Sequence, residues 1–183
     1  MRSFSVFLIL ISTIFLPGCS GSRAERPRVI QDHGFTDTNK IIDRSRIKTG
    51  GKILIIPFKA GAGVEENSEL EKISMLMVKG IAEELSLGKT PFQILNSEDY
   101  NDAEMIIQGH VVRLDQTRGV KQYLPGKKEI ILKVSGEVID RKSKDRLMVF
   151  SQQRIGKEPS EDFKSLGGVI GHDIGRFIMT AVE

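Results

Sequence analysis

Lys52-Ile53-Leu54-Ile55-Ile56-Pro57 is the stretch from which the fold is read. Its four consecutive apolar residues suit a strand buried on both faces, and Pro57 closes it by removing a backbone donor. A glycine-containing loop, Gly61 to Gly63, leads to Ser68, and Ser68 with Glu71 three residues on has the spacing of a capping box. Leu70, Ile73, Leu76, Met77, Ile81 and Leu85 then recur at helical spacing, and Gly88 supplies a stop. Strand, loop and helix make the first unit. Further on, Phe92–Leu95 reads as a short strand, Asn96–Asp102 as a polar turn and Ala103–Leu114 as a longer strand. Glu129–Ile139 alternates, with Ile130, Leu132, Val134 and Val138 on one face and Glu129, Lys133 and Glu137 on the other, which predicts one buried and one wet side. The charged turn Asp140–Asp145 returns the chain as Arg146–Ile155. Pro159 and Ser160 open a last helix, with Phe163, Leu166, Ile170, Ile174, Phe177 and Ile178 as its stripe. The order β-α-β-β-β-β-α predicts an α/β (α+β) domain: one mixed five-stranded sheet flanked by two main helices.

Upstream of Lys52 the character of the chain changes. Residues 4–16 are an apolar run of about thirteen residues, short of the ~20 a membrane-spanning helix needs. Only Arg2 precedes it as side-chain charge, which is the anatomy of an export signal. The run ends in Leu16-Pro17-Gly18-Cys19, and Cys19 is the only cysteine of the 183 residues. This pattern resembles the lipobox of bacterial lipoproteins. The resemblance implies a signal peptide over 1–18, cleavage between Gly18 and Cys19, and a diacylglycerol and an N-acyl chain on Cys19; no other cofactor is expected. Two or three acyl chains make a stable anchor where one does not. Ser20 follows the cysteine where an inner-membrane retention signal would resemble Asp, so the expected location is the outer membrane, facing the periplasm. Residues 19–51 are polar and aperiodic and read as the lipidated cysteine with a flexible tether, which leaves 52–183 as the periplasmic domain.

The 165 residues beyond the export signal suffice for one domain with a core. Lysine and arginine total 27 against 24 acidic residues, so the charge is nearly balanced. With no Trp and two Tyr there is little to stack nucleobases, and nucleic acid is not an expected partner. A lone cysteine excludes an intramolecular disulfide.

Motifs for catalysis are weak. Gly88-Lys89-Thr90 resembles the tail of a phosphate loop, but Glu83 stands where its first glycine belongs, and the triplet ends a helix instead of opening one. Ser45 with Lys48, and Lys48-Thr49-Gly50, overlap inside the polar segment, whereas acylating enzymes hold such elements far apart. His33, His110 and His172 lack ligand-like spacing. The chain is therefore expected not to be an enzyme.

Two features are candidates for partner contact. Gly167, Gly171 and Gly175 recur every four residues on the last helix, each costing about 1 kcal/mol there, which asks for a close approach in return. The approaching element is either the domain's own sheet or a helix from another subunit. The loop Asp115–Lys128 carries Arg118, Lys121, Tyr123, Pro125, Lys127 and Lys128, a basic segment with one aromatic.

The strand Ile53–Phe58, the long helix after it, the phrase Ala103-Glu104-Met105-Ile106-Ile107-Gln108-Gly109 running on to Leu114, and Val134–Asp140 entering a turn together resemble a known periplasmic domain. It is the domain of the curli-secretion lipoprotein, the LpoB activators and the TolB amino-terminal domain. The likeness covers roughly Lys52 to Val182 and implies a domain without catalytic residues. No inserted hairpins of membrane-spanning length accompany it, and the tether is short and poor in proline. The expected role is an accessory interaction module in envelope assembly or export. Its expected partners are the bilayer through Cys19 and either an envelope protein or further copies of itself; the alternative is a small-ligand or glycan-binding lipoprotein.

Overall fold

The computed structural model describes residues 37–87, 90–118, 128–157 and 160–183. The apolar run at Lys52 becomes strand β2 (Gly51–Ile55) at the heart of one parallel region, pairing with β4 (Phe92–Leu95) on one side and β5 (Met105–Arg118) on the other. Helix α2 (Ser68–Ser86) provides the crossover that a parallel pair requires. From β5 onward the ladder is antiparallel through β6 (Lys128–Asp140) and β7 (Arg146–Gly156). The turn between β6 and β7 is built on Asp140, whose carboxylate accepts the N–H groups of Lys142 and Ser143. α3 (Phe163–Met179) ends the fold.

The mixed sheet and its two main helices agree with the sequence, but among the described residues the sheet has seven strands, not five. The two extra ones are β1 (Thr38–Ile41), antiparallel to β7, and β3 (Lys59–Ala60), parallel to β5. Strands of four and two residues hold too few alternations to show a period. The order is β1-β7-β6-β5-β2-β4, with β3 beside β5.

β1 and the one-turn helix α1 (Arg44–Lys48) correct the expected tether, which does not run to Gly51. Asp43 caps α1 by accepting the Arg46 N–H, and Ile47 is fully buried in the core. Arg46 donates to Asp140 at 3.0 Å and to the Gly50 carbonyl at 3.1 Å. This segment looks like a linker in sequence because an exposed edge strand and a single helical turn need only one deeply buried side chain.

The helix starts also differ. Asn67, not Ser68, caps α2, its side chain accepting the N–H groups of Glu69 and Leu70. Asp162 and Ser165 form the capping box of α3, so that helix opens after Pro159 and Ser160. Gly88 lies outside the described residues.

Both long helices lie on one face of the sheet. Their stripes, Ile73, Met77, Ile81 and Leu85 from α2 and Leu166, Ile170, Ile174 and Ile178 from α3, meet Ile53, Met105, Ile107, Leu132 and Val134 in one core. Each fully buried aliphatic side chain there contributes roughly 1.5–3 kcal/mol. A smaller cluster, Leu54, Ala103, Ile106 and Ile139, occupies the opposite face near the 3₁₀ turn Ser97–Asp102. Among the described residues no helix is long and apolar enough to cross a membrane.

Candidate interaction surfaces

Of the residues singled out in the sequence, Gly18, Cys19, Lys121, Tyr123, Pro125 and Lys127 lie outside the described residues. Arg118 and Lys128 are register partners that close the β5–β6 ladder, so the expected loop Asp115–Lys128 is a strand pair at both ends. The strands outrun the expectation because Asp115, Gln116 and Thr117 carry no apolar alternation to mark them.

The glycine stripe does not face another subunit. α2 and α3 run side by side in the same direction: Gly167 and Gly171 meet Ile73 and Met77, and Gly175 meets the Glu84 side chain with the Ile81 carbonyl just behind it. A Cβ on Gly171 would overlap the Met77 carbonyl and lie 2.9 Å from its Cα, while Gly80 of α2 gives reciprocal room for the backbone at Gly168 and His172. The close approach is within the domain, and it is made to α2 and not to the sheet. Gly80 was the overlooked signal, a glycine inside the first amphipathic helix.

Charged side chains tie this helix pair to the sheet. His172 Nδ1 lies 3.0 Å from Glu84 and Nε2 3.4 Å from Glu83, and Arg176 donates to both Glu84 and Asp173. Arg154 of β7 donates to Asp173 and, from its other arm, to both oxygens of Asp37 where the described chain begins. Ser45 donates to the nearby Asp43 carboxylate and Lys48 to the Glu183 carbonyl at the far end of the chain, so each is engaged elsewhere. Among the described residues no three His, Cys, Asp or Glu side chains gather as metal ligands.

Two concavities among the described residues bear on binding. The first lies on the face of the sheet opposite the helices. His110, Ser135 and Ser151 are register neighbours across β5, β6 and β7, and Thr38 continues the row on β1. Short hydroxyl side chains between longer neighbours leave a shallow polar trough of about 420 Å³. Its one carboxylate, Glu137, is held by Gln108 at 3.0 Å and Arg146 at 2.7 Å.

The second is an apolar groove of about 550 Å³ between the β2–β3 connection and the first turns of α2. Ile56 and Phe58 form one wall, and Leu70, Ser74 and Met75 the other. Ser74 is 2% exposed and its hydroxyl has no hydrogen-bond partner, while Met75 is 56% exposed. Sequence reading missed this groove, although Met75, an apolar residue outside the buried stripe of α2, is the mark it leaves.

No family model and no curated protein matches this sequence. Solved structures do match it in shape. The PelC dodecamer from Paraburkholderia phytofirmans is 13% identical, with a TM-score of 0.55 over 79% of this chain and 97% of that one. A point variant of the same dodecamer gives the same values. Protein XCC0632 from Xanthomonas campestris, of family DUF330, is 7% identical with a TM-score of 0.51 over 73% and 86% of the two chains. At these identities the likeness establishes a shared fold.

Proposed function

We propose that this chain is a bacterial lipoprotein, anchored through acyl chains on Cys19 to the periplasmic face of the outer membrane, that serves as a non-catalytic, self-assembling accessory module in envelope assembly or export. The observation that carries the reading is the position of the one cysteine, directly after an export-type apolar run and ahead of an α/β domain whose fold is shared with a dodecameric protein. Seventeen residues lie between Cys19 and Asp37, which even fully extended reach no more than about 60 Å, so the domain works near its membrane. Mass spectrometry of the amino-terminal peptide and membrane fractionation test the anchor. Acylated Cys19 is expected, and Cys19→Ala should move the protein to the soluble fraction. A variant that is cleaved yet still membrane-bound would overturn the anchor.

The polar trough favours a second reading, a glycan-binding lipoprotein. Its hydroxyl, imidazole and carboxamide groups form a flat array suited to sugar hydroxyls on the open sheet face. Thermal-shift measurements with envelope glycans separate the readings, because a ligand at a hundred times its Kd stabilises by about 2.7 kcal/mol.

A further inference from the structure

We propose that the apolar groove beside α2 receives the basic segment 119–127 of a second copy of this chain. The groove has the chemistry of a protein contact. Ile56, Phe58, Leu70 and Met75 give it apolar walls, and the Ser74 hydroxyl stands unpartnered in its lining.

The rim selects the sign of the occupant. Glu65, Glu66, Glu69 and Glu71 surround the start of α2, all exposed and none with an ion-pair partner among the described residues. Lys59 is the one cation among the residues lining the groove. The segment between Arg118 and Lys128 is the complement: Lys121 and Lys127 within it, Arg118 and Lys128 at its ends, no acid, and Val120, Tyr123, Leu124 and Pro125 as apolar material. Basic groups meeting an acidic rim around an apolar anchor steer association and fix its register.

Chain length shows that the occupant comes from another copy. Ile56 donates to the Ile107 carbonyl and Lys59 pairs with His110, so the groove lies beside residues 107–110 of β5. From His110 the strand runs eight residues further to Arg118, about 26 Å at ~3.3 Å per residue. The loop must leave Arg118 and return to its partner Lys128, so it reaches at most half its contour, roughly 17 Å. A molecule's own residues 119–127, held at Arg118 and Lys128, are therefore too few to reach its own groove. Segment and groove are different parts of the chain, so the contact is head-to-tail and builds a ring or a filament, not a two-fold dimer. This deepens the self-assembly in the proposed function but does not depend on the lipid anchor.

The test uses full-length protein extracted from membranes, with a photoreactive benzoylphenylalanine at position 75 and two copies carrying different tags. Crosslinks are expected between copies, on peptides spanning residues 119–127. Lys121→Glu with Lys127→Glu should weaken assembly at least tenfold by sedimentation, as should Glu66→Lys with Glu71→Lys. Mixing or combining the two reversed sets should restore it, and circular dichroism checks that each variant is folded. Crosslinks within one copy, crosslinks to any other protein, or assembly indifferent to both reversals would each overturn the proposal. Cys19→Ala run in parallel keeps the two questions apart: loss of the membrane anchor with assembly intact separates the lipid from the groove.

Discussion

Gly171 and Gly168 sit three residues apart on the same helix and should respond oppositely to the same substitution. Gly171→Ala drives a methyl into the Met77 backbone, which cannot swing aside as a side chain could, and should cost about 3 kcal/mol. Gly171→Leu should abolish folding. A Cβ on Gly168 meets nothing within 4 Å, so Gly168→Ala should gain about 0.5–1 kcal/mol from helix propensity. Chemical denaturation of the pair checks both signs. Lys144, the one described non-glycine residue with positive φ, at 65°, closes the Asp140 turn in the left-handed region. Lys144→Gly should stabilise the fold by about 1 kcal/mol, seen as a raised melting temperature, because glycine adopts that conformation without the Cβ clash.

At the scale of the elements, three carboxylates that hold helix and turn ends titrate below the usual aspartate value of 3.8. Asp162 is lowered chiefly by the Ser165 N–H of its capping box, Asp140 chiefly by the Ser143 N–H with Arg46 assisting, and Asp43 chiefly by the Ser45 hydroxyl. In each case the unfolded chain binds the proton more readily than the folded one. Stability from these groups is therefore complete above about pH 5 and is lost as the pH falls through the folded values. Asp162→Ala should cost about 1 kcal/mol at neutral pH through loss of the α3 cap, and should make the acid limb of a stability profile shallower. An unchanged acid limb would show that the cap does not carry the proton linkage.

At the scale of the described domain, a sheet carries both long helices on one face, and α1 packs into the core ahead of β2. Ile47 makes that contact, and Ile47→Ala should destabilise by about 3 kcal/mol. A chain starting at Lys52, where the domain begins on sequence grounds, should show no cooperative unfolding transition. It lacks β1, Ile47 and the Arg46 bonds to Asp140 and Gly50. Thermal melts of the two forms check this. A shortened chain that melted like the full one would make α1 an ornament.

What could be read from the linear order is what depends on near neighbours. The four-residue apolar run at Ile53, the 3.6-residue stripes of α2 and α3 and the alternation of Glu129–Ile139 each report their own burial, because a residue's facing repeats over a few positions. The expected address at Cys19 is likewise a local pattern and rests on the sequence alone. Tertiary structure decided what no local period encodes. The glycine stripe of α3 gave notice of a close approach, but only packing shows that α2 makes it. Thr38–Lys48 reads as a tether because an edge strand and a single helical turn bury too little to leave a pattern. The groove walled by Phe58 and Met75 exists only because β5 holds the β2–β3 connection opposite α2, and a concavity formed by segments distant in the chain has no signature in either one.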